Sequence, residues 1–219
     1  MITHLSESDI QQIIFVEKAA FINSIQADES TIRGRLRKGH TYLGIELDKI
    51  LIGTLAFRYA YFQADFEDFS RRYPDFEHFA EMENDKDANA IFVYSIGVIK
   101  EYRNAANARR LLIETLDEAA SGNIQFLVGD ARIPSYNGSE NYPSCELFRR
   151  NNHVRKSIDN YFSTGILPSR SIIEEDPVAG FYLNVFPGGE ILGITKSDFW
   201  KGDEPCGGHM IIEYLRLTI

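Results

Sequence analysis

Apolar residues recur along this chain with two different periods. In SESDIQQIIFVEKAAF, Ile10, Ile13, Ile14, Glu17, Ala20 and Phe21 fall at helical spacing behind Ser6 and Ser8, either of which can cap the first turn. DESTIRGRLRKG predicts a second helix, with acids in its first turn, bases in its last and Gly39 as its stop. A short strand at Ile2 precedes both. HTYLGIEL and ILIGTLAFRYAYF are rich in β-branched and aromatic residues and meet at Asp48 and Lys49, which predicts an antiparallel hairpin. AIFVYSIGVI is apolar without alternation, the pattern of a central strand covered on both faces. A helix from Arg103 to about Ala120 leads to the strand IQFLVGD, and this order predicts a right-handed crossover between parallel strands. The chain closes with a short helix in DPVAGFYLNVFPGG, stopped by Pro187, and with the strands EILGI and HMIIEYLRL.

Two segments depart from this alternation and read as insertions into a single domain spanning residues 1–219. Residues 61–90 hold nine acids against three Lys or Arg, while Phe66, Phe69, Tyr73, Phe76 and Phe79 recur every three or four positions. That pairing predicts an amphipathic helical insertion with an acidic outer face. Residues 133–175 begin with turn-forming IPSYNGSENYPS and continue into helical pattern around CELFRRNNHVRKSIDNYF.

Composition narrows the functional classes. A formal net charge of −9 and a sequence pI near 5.1 argue against the basic surface that nucleic-acid binding or attachment to anionic membranes requires. No apolar run approaches the roughly 20 residues that span a bilayer, and MITHLSESDIQQIIF is unlike a leader, so a cytoplasmic protein is expected. Cys145 and Cys206 lack paired ligand spacing, and no metal site is expected. His40, His78, His153 and His209 lack partners at suggestive spacing and read as surface or packing residues.

SIGVIKEYRNAANARRLL carries the most specific chemistry, because it runs from a buried strand into a helix that begins with small side chains. Backbone N–H groups at a helix N-terminus lack intrahelical partners, and the dipole adds about half a positive charge there. Ala105, Ala106 and Ala108 leave room for a diphosphate beside the backbone, flanked by Asn104 and Asn107, and Arg103 and Arg109 can add charge-assisted contacts. The same residues also suit an alanine-rich helix that simply packs on a sheet.

This stretch resembles the GCN5-related N-acetyltransferases (GNAT), in which a central strand leads into an Arg/Gln-x-x-Gly-x-Gly/Ala turn. Arg103, Ala106 and Ala108 take the three motif positions, and Leu111 and Leu112 match the apolar pair that seats the helix. Asn104, Ala106 and Ala108 stand where glycine is frequent in relatives. The order of the other elements, and Gly53 within a strand, extend the likeness along most of the chain. The resemblance implies an α/β (α+β) fold: a mixed, mostly antiparallel sheet splayed near its middle, with helices on both faces. It also implies acetyl-CoA as co-substrate, its diphosphate over residues 103–108 and its pantetheine along Ile96, Gly97 and Val98. DPVAGFYLNVF matches a variant of the family's last helix, with Asp176 as cap and Tyr182 as acid for the departing thiolate. A slip of one position would exchange Tyr182 with Phe181. Asp130 and Glu101 are candidates for the base that takes the amine proton, each also readable as a solvated acid. The expected acceptor is a small-molecule or peptide amine, and the assembly is left open, with a homodimer among the candidates. A longer acyl donor, or a noncatalytic protein that keeps the fold, are the alternatives.

Overall fold

Side-chain caps set where the first helices start. Ser6 accepts from the Ser8 N–H while Asp9 accepts from the Ser6 N–H, closing a capping box on the turn that leads into α1 (Ile10–Ala20). Asp28 caps α2 (Glu29–Arg37) through the Thr31 N–H at 2.8 Å, and Gly39, at φ +84°, ends it. The computed structural model describes residues 1–137, 151–201, 203 and 207–217. Cys145, Cys206 and the CELFRR portion of the expected helical segment lie outside the described residues.

Seven strands form a mixed sheet with helices on both sides: β1 (Ile2–Leu5), β2 (Thr41–Leu47), β3 (Ile50–Ala60), β4 (Ala90–Val98), β5 (Phe126–Arg132), β6 (Glu190–Ile194) and β7 (Met210–Arg216), in the order β1-β2-β3-β4-β5-β7-β6. The chain divides into two compact units, one of Met1–Phe62, Glu77–Val128 and the chain end from Leu217, the other of Gln63–Phe76 and Gly129–Arg216, so β5 begins in the first and ends in the second.

In the first unit, β1, β2, β3 and β4 pair antiparallel in sequence, and Asp48 and Lys49 turn the β2–β3 hairpin with φ of 50° and 66°. Gln125 and Phe126 both donate to the Asn89 carbonyl, at 2.7 and 3.2 Å, so β5 starts beside the start of β4. Tyr94 is an extra residue in β4: Ala56 pairs with Ser95 and Phe57 with Val93, leaving Tyr94 without an opposite number. Such a bulge bends its strand. The helix after β4, α5 (Ala105–Ala120), starts two residues later than its apolar pattern predicts, because Asn104 is extended (φ −142°, ψ 158°) and takes the cap.

The acidic insertion is two short helices, α3 (Phe66–Arg72) and α4 (Phe76–Ala80), and the unit boundary falls just inside α4, between Phe76 and Glu77. Its polar residues do more than face water. Arg58, 1% exposed on β3, donates to the carbonyls of Phe79, His78 and Glu83, while Asn84 and Asp85 accept from the N–H groups of Tyr59 and Tyr61. Where β3 runs beyond β2, its backbone is thereby met by side chains of the insertion, while its other edge stays on β4.

The second unit adds α6 (Pro134–Asn137), α7 (Asn152–Thr164), α8 (Arg170–Ile173) and α9 (Ala179–Val185). Ala131, Ile133, Val154, Ile158, Ile173, Ala179, Leu183, Ile194 and Ile211 form its core. Phe66 and Phe69 of α3 stack in this unit, as do Phe76 and Trp200, whose rings lie 4.1 Å apart. Among the described residues, no helix is long and apolar enough to cross a membrane.

Candidate active site

The end of β4 is held on one edge by β3, through Ile96 opposite Leu55, Gly97 opposite Thr54 and Val98 opposite Gly53. Gly97 has a packing role: a Cβ there would come within 2.9 Å of the Ala20 Cβ and of the Phe21 ring, so only glycine lets the end of α1 lie this close to the strand. Arg103 is tied to the same place. Its Nη2 donates to the Ala20 carbonyl at 3.0 Å and its Nε to the Val98 carbonyl at 3.5 Å. The guanidinium therefore braces the turn from behind.

At the start of α5, Asn104 Oδ1 accepts from the Asn107 N–H at 2.9 Å, and Asn107 Nδ2 donates to the Tyr102 carbonyl at 2.9 Å. The Ala108 N–H is far enough into the helix to bond the Asn104 carbonyl. The N–H groups of Ala105 and Ala106 are then the first-turn donors left for a ligand. Ala106 and Arg109 are exposed and Ala108 is half-buried, so no bulky side chain covers these donors from those positions. The residues fit a diphosphate, on a seat narrower than the whole span of residues 103–108. Glu101 is exposed on the helical turn Lys100–Tyr102.

In the second unit, polar groups converge around Tyr182 on α9. Asp176, 1% exposed, accepts from the N–H groups of Val178 and Ala179 through Oδ1 and from Ser135 through Oδ2, at 2.9–3.0 Å. One carboxylate thus caps α9 and fastens it to the chain just after β5. Burial raises its pKa, against the pull of these three donors. Arg132 grips Asp203, which has no exposed surface, with a bidentate pair at 2.9 and 2.5 Å.

Tyr182 packs half-buried against the core cluster, beside Phe181. Burial pushes its phenol well above the ordinary range, the charges of Asp130 and Glu213 push it further, and Arg132 opposes them. Tyr182 and Asp130 therefore lie within electrostatic reach of each other, while Glu101 belongs to the other unit. Asp130 is a buried residue of β5, 8% exposed, rather than a solvated strand acid. Glu213 on β7 is 6% exposed, and its Oε1 has no hydrogen-bond partner among the described residues. Burial holds its carboxyl toward the protonated form, with Asp176 adding to the effect and Arg170 opposing it. Arg132 has its bidentate partner in Asp203, and Arg170 donates to Glu174 and to the carbonyls of Gly189 and Leu183. A phenol that stays protonated, among buried acids, can donate a hydrogen bond to a developing anion and draws cations toward it.

Sequence reasoning did not find Glu213 or the Arg132–Asp203 pair. Charged residues inside otherwise apolar strands, Arg132 after FLVGDA and Glu213 within MIIEYL, were the available signal. Among the described residues no group of three or more His, Cys, Asp or Glu is arranged to hold a metal ion.

No protein-family profile matches the chain, and no curated protein matches its sequence. Solved structures do. The GphF GNAT-like decarboxylase in complex with isobutyryl-CoA aligns over 100% of both chains with a TM-score of 0.71 at 19% identity. The loading GNATL domain of CurA from Lyngbya majuscula aligns over 99% of this chain and 96% of its own, with a TM-score of 0.63 at 13% identity. The ribosomal-protein-S18-alanine N-acetyltransferase from Escherichia coli aligns over 100% of this chain and 94% of its own, with a TM-score of 0.55 at 12% identity.

Proposed function

The chain has the fold of the GCN5-related N-acetyltransferases, and on that fold we propose that it is an acyltransferase that moves an acetyl group from acetyl-CoA to a primary amine. The observation that carries this reading is the start of α5, where the Ala105 and Ala106 N–H groups follow directly on the bulged central strand. There they would receive the diphosphate, and the backbone of Ile96, Gly97 and Val98 would pair with the pantetheine amides. Arg109 adds an exposed positive charge.

Attack of the neutral amine nitrogen on the thioester carbonyl forms the amide C–N bond and breaks the C–S bond. Asp130 takes the proton lost by the amine, and the thiolate that leaves is met by the Tyr182 hydroxyl. The magnitude of the phenol shift refines that role. A thiol ionises near 8.5 and an ordinary phenol near 10, so a phenol raised further is a weaker acid than the thiol it faces. Tyr182 therefore stabilises the thiolate by donating a hydrogen bond, and the thiol takes its final proton from solvent. The buried Asp130, whose charge acts on Tyr182, favours a cationic amine as acceptor.

A second reading is favoured by the TM-score of the GNAT-like decarboxylase, which exceeds that of the S18-alanine acetyltransferase. It keeps the acyl-CoA seat but removes carbon dioxide from a carboxylated acyl thioester. The acids around Tyr182 oppose it, since they repel a second carboxylate. Incubating the protein with acetyl-CoA, longer acyl-CoAs and carboxyacyl-CoAs, with and without a panel of amines, separates the readings by mass spectrometry. Acylated amine and free CoA from acetyl-CoA are the expected result. Loss of 44 mass units from a carboxyacyl-CoA without any amine supports decarboxylation, and no turnover of any donor overturns both.

A further inference from the structure

Arg35, His40, Tyr42 and Tyr94 are each no more than 6% exposed, and they form a chain of polar and ring contacts inside the first unit. Its direction follows from one acceptor. His40 Nε2 lies 2.7 Å from the Met82 carbonyl, which can only accept, so Nε2 carries the proton. Nδ1 is then an acceptor, and the Tyr94 hydroxyl at 2.9 Å donates to it. Tyr42 accepts from Arg35 Nη1 at 3.4 Å, and burial raises the phenols of both Tyr42 and Tyr94, so both stay protonated. Arg35 is itself held by Glu81 Oε1, at 2.8 Å from Nε and 2.5 Å from Nη2, and its Cζ lies 4.8 Å above the Tyr94 ring. Burial, with Arg35, Arg58 and Lys38 adding to it, keeps the imidazole neutral by pushing it down to about 4, against the Met82 carbonyl.

The chain ends on the one residue of β4 that has no partner across the β3–β4 ladder. A bulge residue lacks the cross-strand bonds that fix its neighbours, so its conformation must be set by something else. Here that is a phenol held from both sides. Two residues on lies the strand end Ile96, Gly97 and Val98, the expected seat of the pantetheine.

We propose that Arg35, Tyr42, Tyr94 and His40 act together as a positioning device for acyl-CoA, holding the β4 bulge in the one conformation that presents the backbone of residues 95–98 to the thioester arm. The device rests on the acyl-CoA reading for its ligand but not for its effect on the strand. It also gives the acidic insertion a task, because Glu81 and Met82 anchor both ends of the chain of contacts.

Tyr94→Phe removes only the hydroxyl and leaves the ring beneath Arg35. Amide hydrogen exchange without ligand tests the strand, and calorimetric titration with CoA tests the seat. The expected result is exchange at the amides of residues 95–98 faster by about tenfold, with CoA bound about tenfold more weakly. Tyr42→Phe, which removes a partner of Arg35 rather than of the Tyr94 hydroxyl, should act in the same direction with a smaller effect. Ile13→Val, in the buried face of α1, serves as a destabilised control and leaves CoA affinity unchanged. Unchanged exchange at residues 95–98 in Tyr94→Phe overturns the device. Faster exchange with unchanged CoA affinity overturns its link to the donor. A wild-type protein that binds no CoA overturns the acyl-CoA reading, while the exchange result still decides whether the bulge is held in this way.

Discussion

The turn at the start of α5 and the cluster around Tyr182 both offer groups to negative charge, but they are built in opposite ways. The first uses backbone N–H groups of consecutive residues, capped by Asn104 and braced by Arg103, in an exposed position. The second uses side chains from β5, α9, β7 and two connecting segments, buried and mutually dependent. Peptide amides have a fixed polarity that no neighbour can remove, so the first region tolerates alanine where relatives carry glycine. Side-chain acids and phenols change charge with their surroundings, so the second region depends on every partner. Binding and chemistry should therefore fail separately.

Breaking the buried cluster has the largest expected effect on stability. Arg132→Leu leaves Asp203 buried without its bidentate partner, and such a loss costs about 3–5 kcal/mol. Chemical denaturation should show that loss, with CoA affinity of the folded protein unchanged. A loss of affinity as large as the loss of stability would join the two regions into one. Tyr182→Phe sharpens the comparison with less damage. It keeps the ring and removes the donor, so steady-state kinetics should show kcat lower by about 100-fold, roughly 2.7 kcal/mol, with CoA binding intact. A variant with full kcat would remove Tyr182 from the reaction.

The same contrast explains what could be read in advance. The helix–strand order and the Asp48–Lys49 turn rest on contiguous residues and were legible from spacing and residue type. Asn104 displaced the helix start because its side chain competes for the Asn107 N–H, a choice that an apolar period does not register. Arg103 has the residue type of a phosphate ligand, yet it bonds the Ala20 carbonyl, 83 positions away, which no local pattern encodes. The bulge at Tyr94 carries no glycine or proline signal, since it arises from register with β3, a strand more than 30 residues away. The acids of residues 61–90 suggested an outer face by their number, but Glu81 and Asp85 are turned to Arg35 and to the Tyr61 N–H. Tyr182 was singled out from its helix alone, whereas the acids that shift its phenol come from β5 and β7 and emerge only when the strands are assembled.

Calorimetric titration of CoA into the wild-type protein and Ala106→Asp tests the central claim most directly. An acid in the first turn suits the helix dipole, so the variant keeps its fold. Its carboxylate would stand against the diphosphate, where like charges about 4 Å apart repel by about 4 kcal/mol at an effective dielectric of about 20. The account predicts saturable binding by the wild type and affinity at least about 100-fold weaker in Ala106→Asp. Equal affinity in the two proteins would contradict it.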